Sequence, residues 1–292
     1  MKEKTQFIVD KDKCIGCGRC INVCAGMVLE QAEDGCPEMK EFDRYGWHGC
    51  WRCQHCLAVC PTGAISIFGK HPEDSVPLPD TDMGEQMERL VLSRRSCRRF
   101  LDKNVEPEII DRILRAMESA PTGGNCCSVQ YTVIDDKEQT RRIWELAYQK
   151  MEENAKKHIY TSSFDDFYYS KMKQSEGSIR KDDLLFCGAP HLFIAHDKAV
   201  GRWAEDNKIN CNLATAYFEL LANAFGLGAI IMSYPSDVIC ELAPEARKLL
   251  GIPEDHYMRL IVGFGYPEIP YARGVQKDRS AKIHRYTKER ET

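Results

Sequence analysis

Apolar residues recur along this chain with a period that changes from segment to segment, and the changes mark out elements. Thr5-Gln-Phe-Ile-Val-Asp10 predicts a short strand. Asp34-Gly35-Cys36-Pro37 and the aromatic stretch Phe42 to His48 read as turns with an aromatic cover. Pro72, Pro77 and Pro79, set among charges, predict an extended, proline-stiffened linker. Met83, Met87, Leu90 and Val91 then keep helical spacing, which predicts a helix with one buried face. Pro107 opens a second helix through Ile109, Ile110, Ile113, Leu114 and Met117. Val129 to Ile134 is a strand pattern, and residues 138–157 return to helical spacing at Ile143, Leu146, Ala147 and Met151. Phe186 to Ala195 predicts a buried strand. The segment from Asn207 to Phe225, apolar on most sides at Leu213, Ala216, Tyr217, Leu220, Leu221 and Ala224, predicts the central core helix. Ala229 to Ser233 predicts a further strand. Between His158 and Asp183 no period is kept.

Composition narrows the class. The chain has 292 residues, 43% of them hydrophobic, enough for one large domain and a small one. A net charge of −4 without a basic block excludes a surface that tracks nucleic acid. The first residues lack the apolar core of a signal peptide and no apolar run reaches the roughly 20 residues of a membrane span, so a cytoplasmic protein is expected. Fifteen cysteines then point to metal binding rather than disulfides.

Eight of these cysteines form a ladder. Cys14, Cys17, Cys20 and Cys24 are repeated 36 residues later as Cys50, Cys53, Cys56 and Cys60, an internal duplication in register. Three thiolates at this spacing wrap one face of a cubane, and the fourth, set off by three residues, reaches the other cluster. Two [4Fe-4S] sites follow: Cys14, Cys17, Cys20 and Cys60; and Cys50, Cys53, Cys56 and Cys24. Gly16 and Gly18 let backbone N–H groups approach the sulfides. Structural zinc, the alternative, ordinarily pairs two CxxC knuckles instead. Cys36 falls outside the repeat as a non-ligand, and His48 reads as a surface residue with a ligand or tuning role as its alternative. The stretch resembles the bacterial two-cluster ferredoxins, with Cys60-Pro61-Thr62-Gly63-Ala64-Ile65 close to the end of their second motif; Ala25 stands where that family has proline.

A second resemblance covers roughly residues 84 to 285. Ser93-Arg94-Arg95-Ser96-Cys97-Arg98-Arg99-Phe100 is a run of guanidinium forks suited to a phosphate or to the carbonyl edge of a planar ring. With one helix after it and then Ala120-Pro121-Thr122-Gly123-Gly124-Asn125 before a strand, it is similar to the FMN-dependent nitroreductases. The resemblance implies an α+β protein: a nitroreductase-like α/β/α sandwich over residues 84–292, a small N-terminal ferredoxin-like domain over residues 1–68 and a linker at 69–83. It implies a homodimer in which Arg94, Arg95, Ser96 and Arg98 bind FMN in one chain. Pro121, Thr122, Gly123 and Asn125 then reach it from the other. The backbone of Met232 and Ser233 is expected near the reactive edge of the flavin, where Tyr234 replaces a glycine and caps one face. Leu260 to Pro267 matches the family's last core strand, and after it Lys277 and Arg279 are expected on the FMN phosphate, with Arg273 as a further basic residue nearby. Asn125-Cys126-Cys127-Ser128 replaces the family's Asn-x-Gln-Pro; Cys126 and Cys127 are either redox-active or loop filling. Residues 158–183 are a substrate lid or a surface insertion.

Together the two resemblances imply electrons passing one at a time through two [4Fe-4S] clusters to FMN, which delivers them in pairs to a nitroaromatic, quinone or activated alkene. No Gly-x-Gly-x-x-Gly follows a strand, so the donor is NAD(P)H over the exposed flavin or reduced ferredoxin or flavodoxin. The alternatives are an electron-transfer or redox-sensing flavoprotein that serves a protein partner, and a degenerate flavin site.

Overall fold

In the computed structural model, residues 5–40, 49–79, 82–163, 165–167, 169–170, 183 and 185–276 are described. The aromatic cover from Phe42 to His48 and most of residues 164–184 fall outside this set.

Two small antiparallel ribbons frame the cysteine runs. Strand β1 (Ile8–Val9) pairs with β4 (Ile65–Ser66), and β2 (Leu29–Gln31) pairs with β3 (Pro37–Met39). Each run ends in a one-turn helix, α1 (Arg19–Asn22) and α2 (His55–Ala58), and the two are offset by the same 36 residues as the cysteines. The backbone repeats too. Gly16 and Gly18 have φ of 62° and 66°, while Arg52 and Gln54, their equivalents in the second run, have 56° and 61°. Both runs therefore need left-handed turns at the same places, with glycine supplied only in the first.

Past a short 3-10 turn at Pro72–Asp74, residues 75–79 are exposed and carry no regular structure. Helix α3 (Gly84–Ser93) lies on the surface against the long helix Ala204–Ala224, and its last turn meets the chain at Gly274. The predicted buried face is not covered: Met83, Met87 and Val91 are exposed and Leu90 is half-buried, because among the described residues no element lies over that side. Helix α4 (Pro107–Met117) begins at its proline and buries Ile110, Ile113 and Met117 as the periodicity predicts.

The body of the molecule is an antiparallel sheet in the order β5 (Gln130–Ile134), β6 (His191–Lys198), β9 (Ile261–Gly265), β7 (Gly228–Met232). The short β8 (His256–Tyr257) pairs with the end of β6. Alternate residues of β6 feed two cores. Leu192 and Ile194 face α5 (Lys137–Ala155), α7 (Tyr234–Asp237), the π turn Val238–Leu242 and α8 (Pro244–Leu249). Phe193 and Ala195 face α4 and α6 (Ala204–Ala224), where Phe193 stacks on Phe218 at 3.9 Å. Helices thus cover both faces of one sheet, the expected α/β/α sandwich.

Two predictions shift. The strand expected from Phe186 begins only at His191. Asp183 takes the N–H groups of Phe186 and Gly188, Cys187 and Gly188 are left-handed, and this knot precedes Pro190. Helix α6 is buried along one side at Cys211, Ala214, Phe218 and Ala222. Leu213, Ala216 and Tyr217, predicted to be core, are exposed because no element among the described residues lies over them.

Candidate iron–sulfur and flavin sites

The eight ladder cysteines divide between two cavities in the crossed pattern that their spacing predicts. Cys14, Cys17, Cys20 and Cys60 line one, and Cys24, Cys50, Cys53 and Cys56 line the other. Backbone N–H groups already point at sulfur: Arg52 N donates to Cys50 Sγ at 3.4 Å and Ala64 N to Cys60 Sγ at 3.3 Å. Among the described residues no three His, Cys, Asp or Glu side chains converge closely enough to hold one metal ion. Four thiolates spread around a cavity fit a cubane, which offers one iron to each, and do not fit a single zinc. Cys36 lines neither cavity; its backbone N–H donates to Asp34, and its thiol lies within hydrogen-bond reach of Cys14 at the edge of the first cavity.

The basic segment is pinned as an extended strip along the sheet. Ser96 bridges to Ala229 in parallel, Cys97 N donates to Ala229 O at 2.9 Å, and Phe100 bridges to Pro267. Gly228 allows this approach, since a Cβ there would lie 2.6 Å from Cys97 Sγ. Cys97 and Phe100 are buried; Arg94, Arg95 and Ser96 are half-buried and Arg98 is exposed. Arg94 Nε donates to Glu219 Oε1 at 2.5 Å, and this carboxylate is nearly fully buried on α6. The ion pair fixes the direction of the guanidinium while using only one of its nitrogens, which leaves a fork to present to a ligand.

The loop at Pro121, Thr122, Gly123 and Asn125 is tied to the same helix. Gly123 N donates to Asn210 Oδ1 at 3.0 Å, and Thr122 Oγ1 accepts from Cys127 N at 3.1 Å. Asn125 donates its side-chain amide to the Trp51 carbonyl at 3.0 Å, a contact that crosses from this loop to the second cysteine run. Cys126 and Cys127 are exposed; Ser128, beside them, hydrogen-bonds to Asp197 at the end of β6. Glu219, Asn210 and Trp51 were not singled out in the sequence. The signal for the first two was present, as isolated polar residues on the inward side of an apolar helix.

Met232 is buried at the end of β7, and Ser233 accepts a hydrogen bond from Ser236 Oγ through its carbonyl. Tyr234 is half-buried beside Cys187. Burial, then Cys187 and Asp183, push its phenol well above the usual value, and burial lifts the Cys187 thiol to about 11. Neither group ionises near neutral pH. Of the remaining expected residues, Arg273 is exposed at the end of the described chain, while Lys277 and Arg279 lie outside the described residues. In the 158–183 segment, Ser162 and Ser163 are fastened to Glu241 and Asp237.

An open sheet with helices on both faces, joined to a duplicated cysteine module, defines a two-part redox protein. Its families follow from comparison with known proteins. Residues 91–266 match the nitroreductase family model and residues 13–64 the model of a 4Fe-4S dicluster domain. The chain belongs to the nitroreductase family and is an oxidoreductase with an N-terminal 4Fe-4S ferredoxin domain. A putative NADH dehydrogenase/NAD(P)H nitroreductase of Archaeoglobus fulgidus is 26% identical over 185 residues, 63% of this chain and 87% of that one. Ferredoxin-3 of Nostoc is 40% identical over 65 residues, 18% of this chain and 67% of its own. A nitroreductase of Bacteroides fragilis, solved with bound FMN, superposes with a TM-score of 0.53 at 21% identity, covering 68% of this chain and 99% of its own; it supports the fold.

Proposed function

We propose that this chain is an iron–sulfur flavoprotein that carries electrons through two [4Fe-4S] clusters to FMN and reduces a small acceptor: a nitroaromatic, a quinone or an activated alkene. The observation that carries this reading is the crossed division of eight cysteines between two cavities, in the same chain as a nitroreductase-family domain. Cys14, Cys17, Cys20 and Cys60 hold one cluster, and Cys24, Cys50, Cys53 and Cys56 the other. Arg94, Arg95, Ser96 and Arg98 bind FMN. Bound there, FMN accepts single electrons and releases them as a pair. The donor is reduced ferredoxin or flavodoxin, or NAD(P)H.

The flavin site is completed by a second copy of the chain. Asn210, which holds the Gly123 loop, and Glu219, which holds Arg94, are nine residues apart on α6, about 14 Å along its axis. A twofold axis that passes beside the middle of α6, perpendicular to it, sets Asn210 of one copy level with Glu219 of the other along the helix direction, which is compatible with a site shared by the loop of one chain and the basic segment of its partner. The side of α6 that would pair is apolar and, among the described residues, uncovered: Ile209, Leu213 and Tyr217 are exposed, as are Met87 and Val91 on the adjoining α3. Such a continuous apolar face is the kind that dimers bury.

The test is anaerobic: protein reduced at the clusters is mixed rapidly with nitroaromatics, quinones and enoates while flavin absorbance is followed. Reoxidation by at least one class is expected. If no small molecule reoxidises the flavin, the protein serves a protein partner instead, and purified protein with iron but no flavin would remove the flavin site altogether.

A further inference from the structure

The two cysteine runs match in spacing but not in surroundings. In the first, Cys20 is buried, but Cys17 is exposed and Ile15, two residues before it, is 66% exposed, so one side of that cluster loop meets solvent. In the second, Cys50 and Cys56 are buried, and Trp51, between Cys50 and Cys53, lines the cavity while its carbonyl accepts from Asn125. Trp51 is held closely on its other side, since a Cβ on Gly26 would lie 3.4 Å from its indole. The loop that reaches across is wrung to do so: Gly124, Asn125 and Cys127 are all left-handed, with φ of 59°, 51° and 47°. Glycine and asparagine tolerate that conformation. Cysteine does not, and such strain persists only where surrounding contacts impose it.

We propose that the second cysteine set is the electron junction with the flavin, across the Trp51 and Asn125 contact, and that the first set is the outer intake. The proposal rests on the reading above that the chain holds both clusters and FMN. Each transfer moves one electron: the second cluster returns to its oxidised state, the flavin gains the electron, and the first cluster refills the second. Two transfers and proton uptake from solvent complete the reduction of the flavin, and an external low-potential one-electron donor restores both electrons through the first cluster.

Cys17→Ala and Cys53→Ala each remove one cluster, checked by a fall to about four irons per chain. Under rapid mixing with dithionite, Cys17→Ala keeps a phase in which flavin bleaching follows cluster reduction, and Cys53→Ala loses it; the reverse pattern overturns the proposal. Should either variant fail to fold, the full protein answers through cluster midpoint potentials. Asn125→Asp, which sets a carboxylate beside Trp51, is expected to lower the potential of one cluster. Refilling flavin-stripped unmodified protein with FMN is expected to shift that same cluster, and a shift confined to the other one contradicts the assignment. A flavin count of zero in unmodified protein, obtained before any variant is made, removes the proposed function and this junction together.

Discussion

At the scale of single residues, the duplicated module shows both what a sequence displays and what it hides. Gly16 and Gly18 could be read as sites of close backbone approach, and they are left-handed. Nothing about Arg52 or Gln54 signals the same conformation, because neither side chain favours it; only the 36-residue register does. Arg52 has a compensating contact, its guanidinium lying 5.3 Å from the centre of the Phe68 ring. Gln54 caps α2 without a side-chain hydrogen bond. Gln54→Gly should therefore raise stability by up to about 1 kcal/mol, the relief of left-handed strain less the added freedom of the unfolded chain, seen as a higher midpoint in thermal unfolding. Arg94 was legible as a ligand fork but not as half of an ion pair, since its partner Glu219 is 125 residues away. Arg94→Met leaves that carboxylate buried with Asn223 Nδ2, at 3.1 Å, as its one side-chain donor among the described residues. It should cost about 1–3 kcal/mol in denaturant unfolding, and should weaken FMN binding in a fluorescence titration.

At the scale of elements, the periodicity locates the long helices α3 to α6 and the main strands, but not the short β2, β3, β8, α7 and α8, which span too few residues to show a period. The strand at β6 starts late because Asp183 gathers the preceding backbone N–H groups into a turn, a tertiary arrangement that no local pattern records. The same strand carries a pH-dependent pair. His196 Nδ1 lies 2.9 Å from His256 Nδ1 on β8, with Thr132 on its other nitrogen and Asp197 and Arg247 as the nearest charges. Burial first, then His256, lowers the His196 pKa from 6.5 to about 4. The unfolded chain takes up this proton between those values and the folded one does not, so the stabilisation is complete above 6.5 and is lost as pH falls toward 4. The loss should approach about 3 kcal/mol near pH 4. Denaturant unfolding at pH 7 and pH 5 checks it: the unmodified chain should lose stability over that interval, and His196→Asn should lose markedly less.

At the scale of the whole molecule, the apolar faces of α3 and α6 were read as core because a helical period reports that a face is to be covered, not by what. Among the described residues nothing covers them, and in the proposed dimer a second copy supplies the cover. Leu213→Asp or Tyr217→Asp should therefore give a monomer by sedimentation equilibrium and lose bound FMN with the partner's loop; a monomer that keeps its flavin would contradict the shared site. The two resemblances gave each half its fold, while the contact that joins them, Asn125 on Trp51, was invisible because neither motif family contains the other. What binds the account together is electronic continuity between the cysteine module and the flavin. An anaerobic titration tests it: dithionite should deliver about four electrons per chain, one to each cluster and two to FMN. A small acceptor that reoxidises the flavin should then recover all of them. Recovery of only two, with the cluster absorbance left bleached, would show that the clusters do not feed the flavin and would contradict the account.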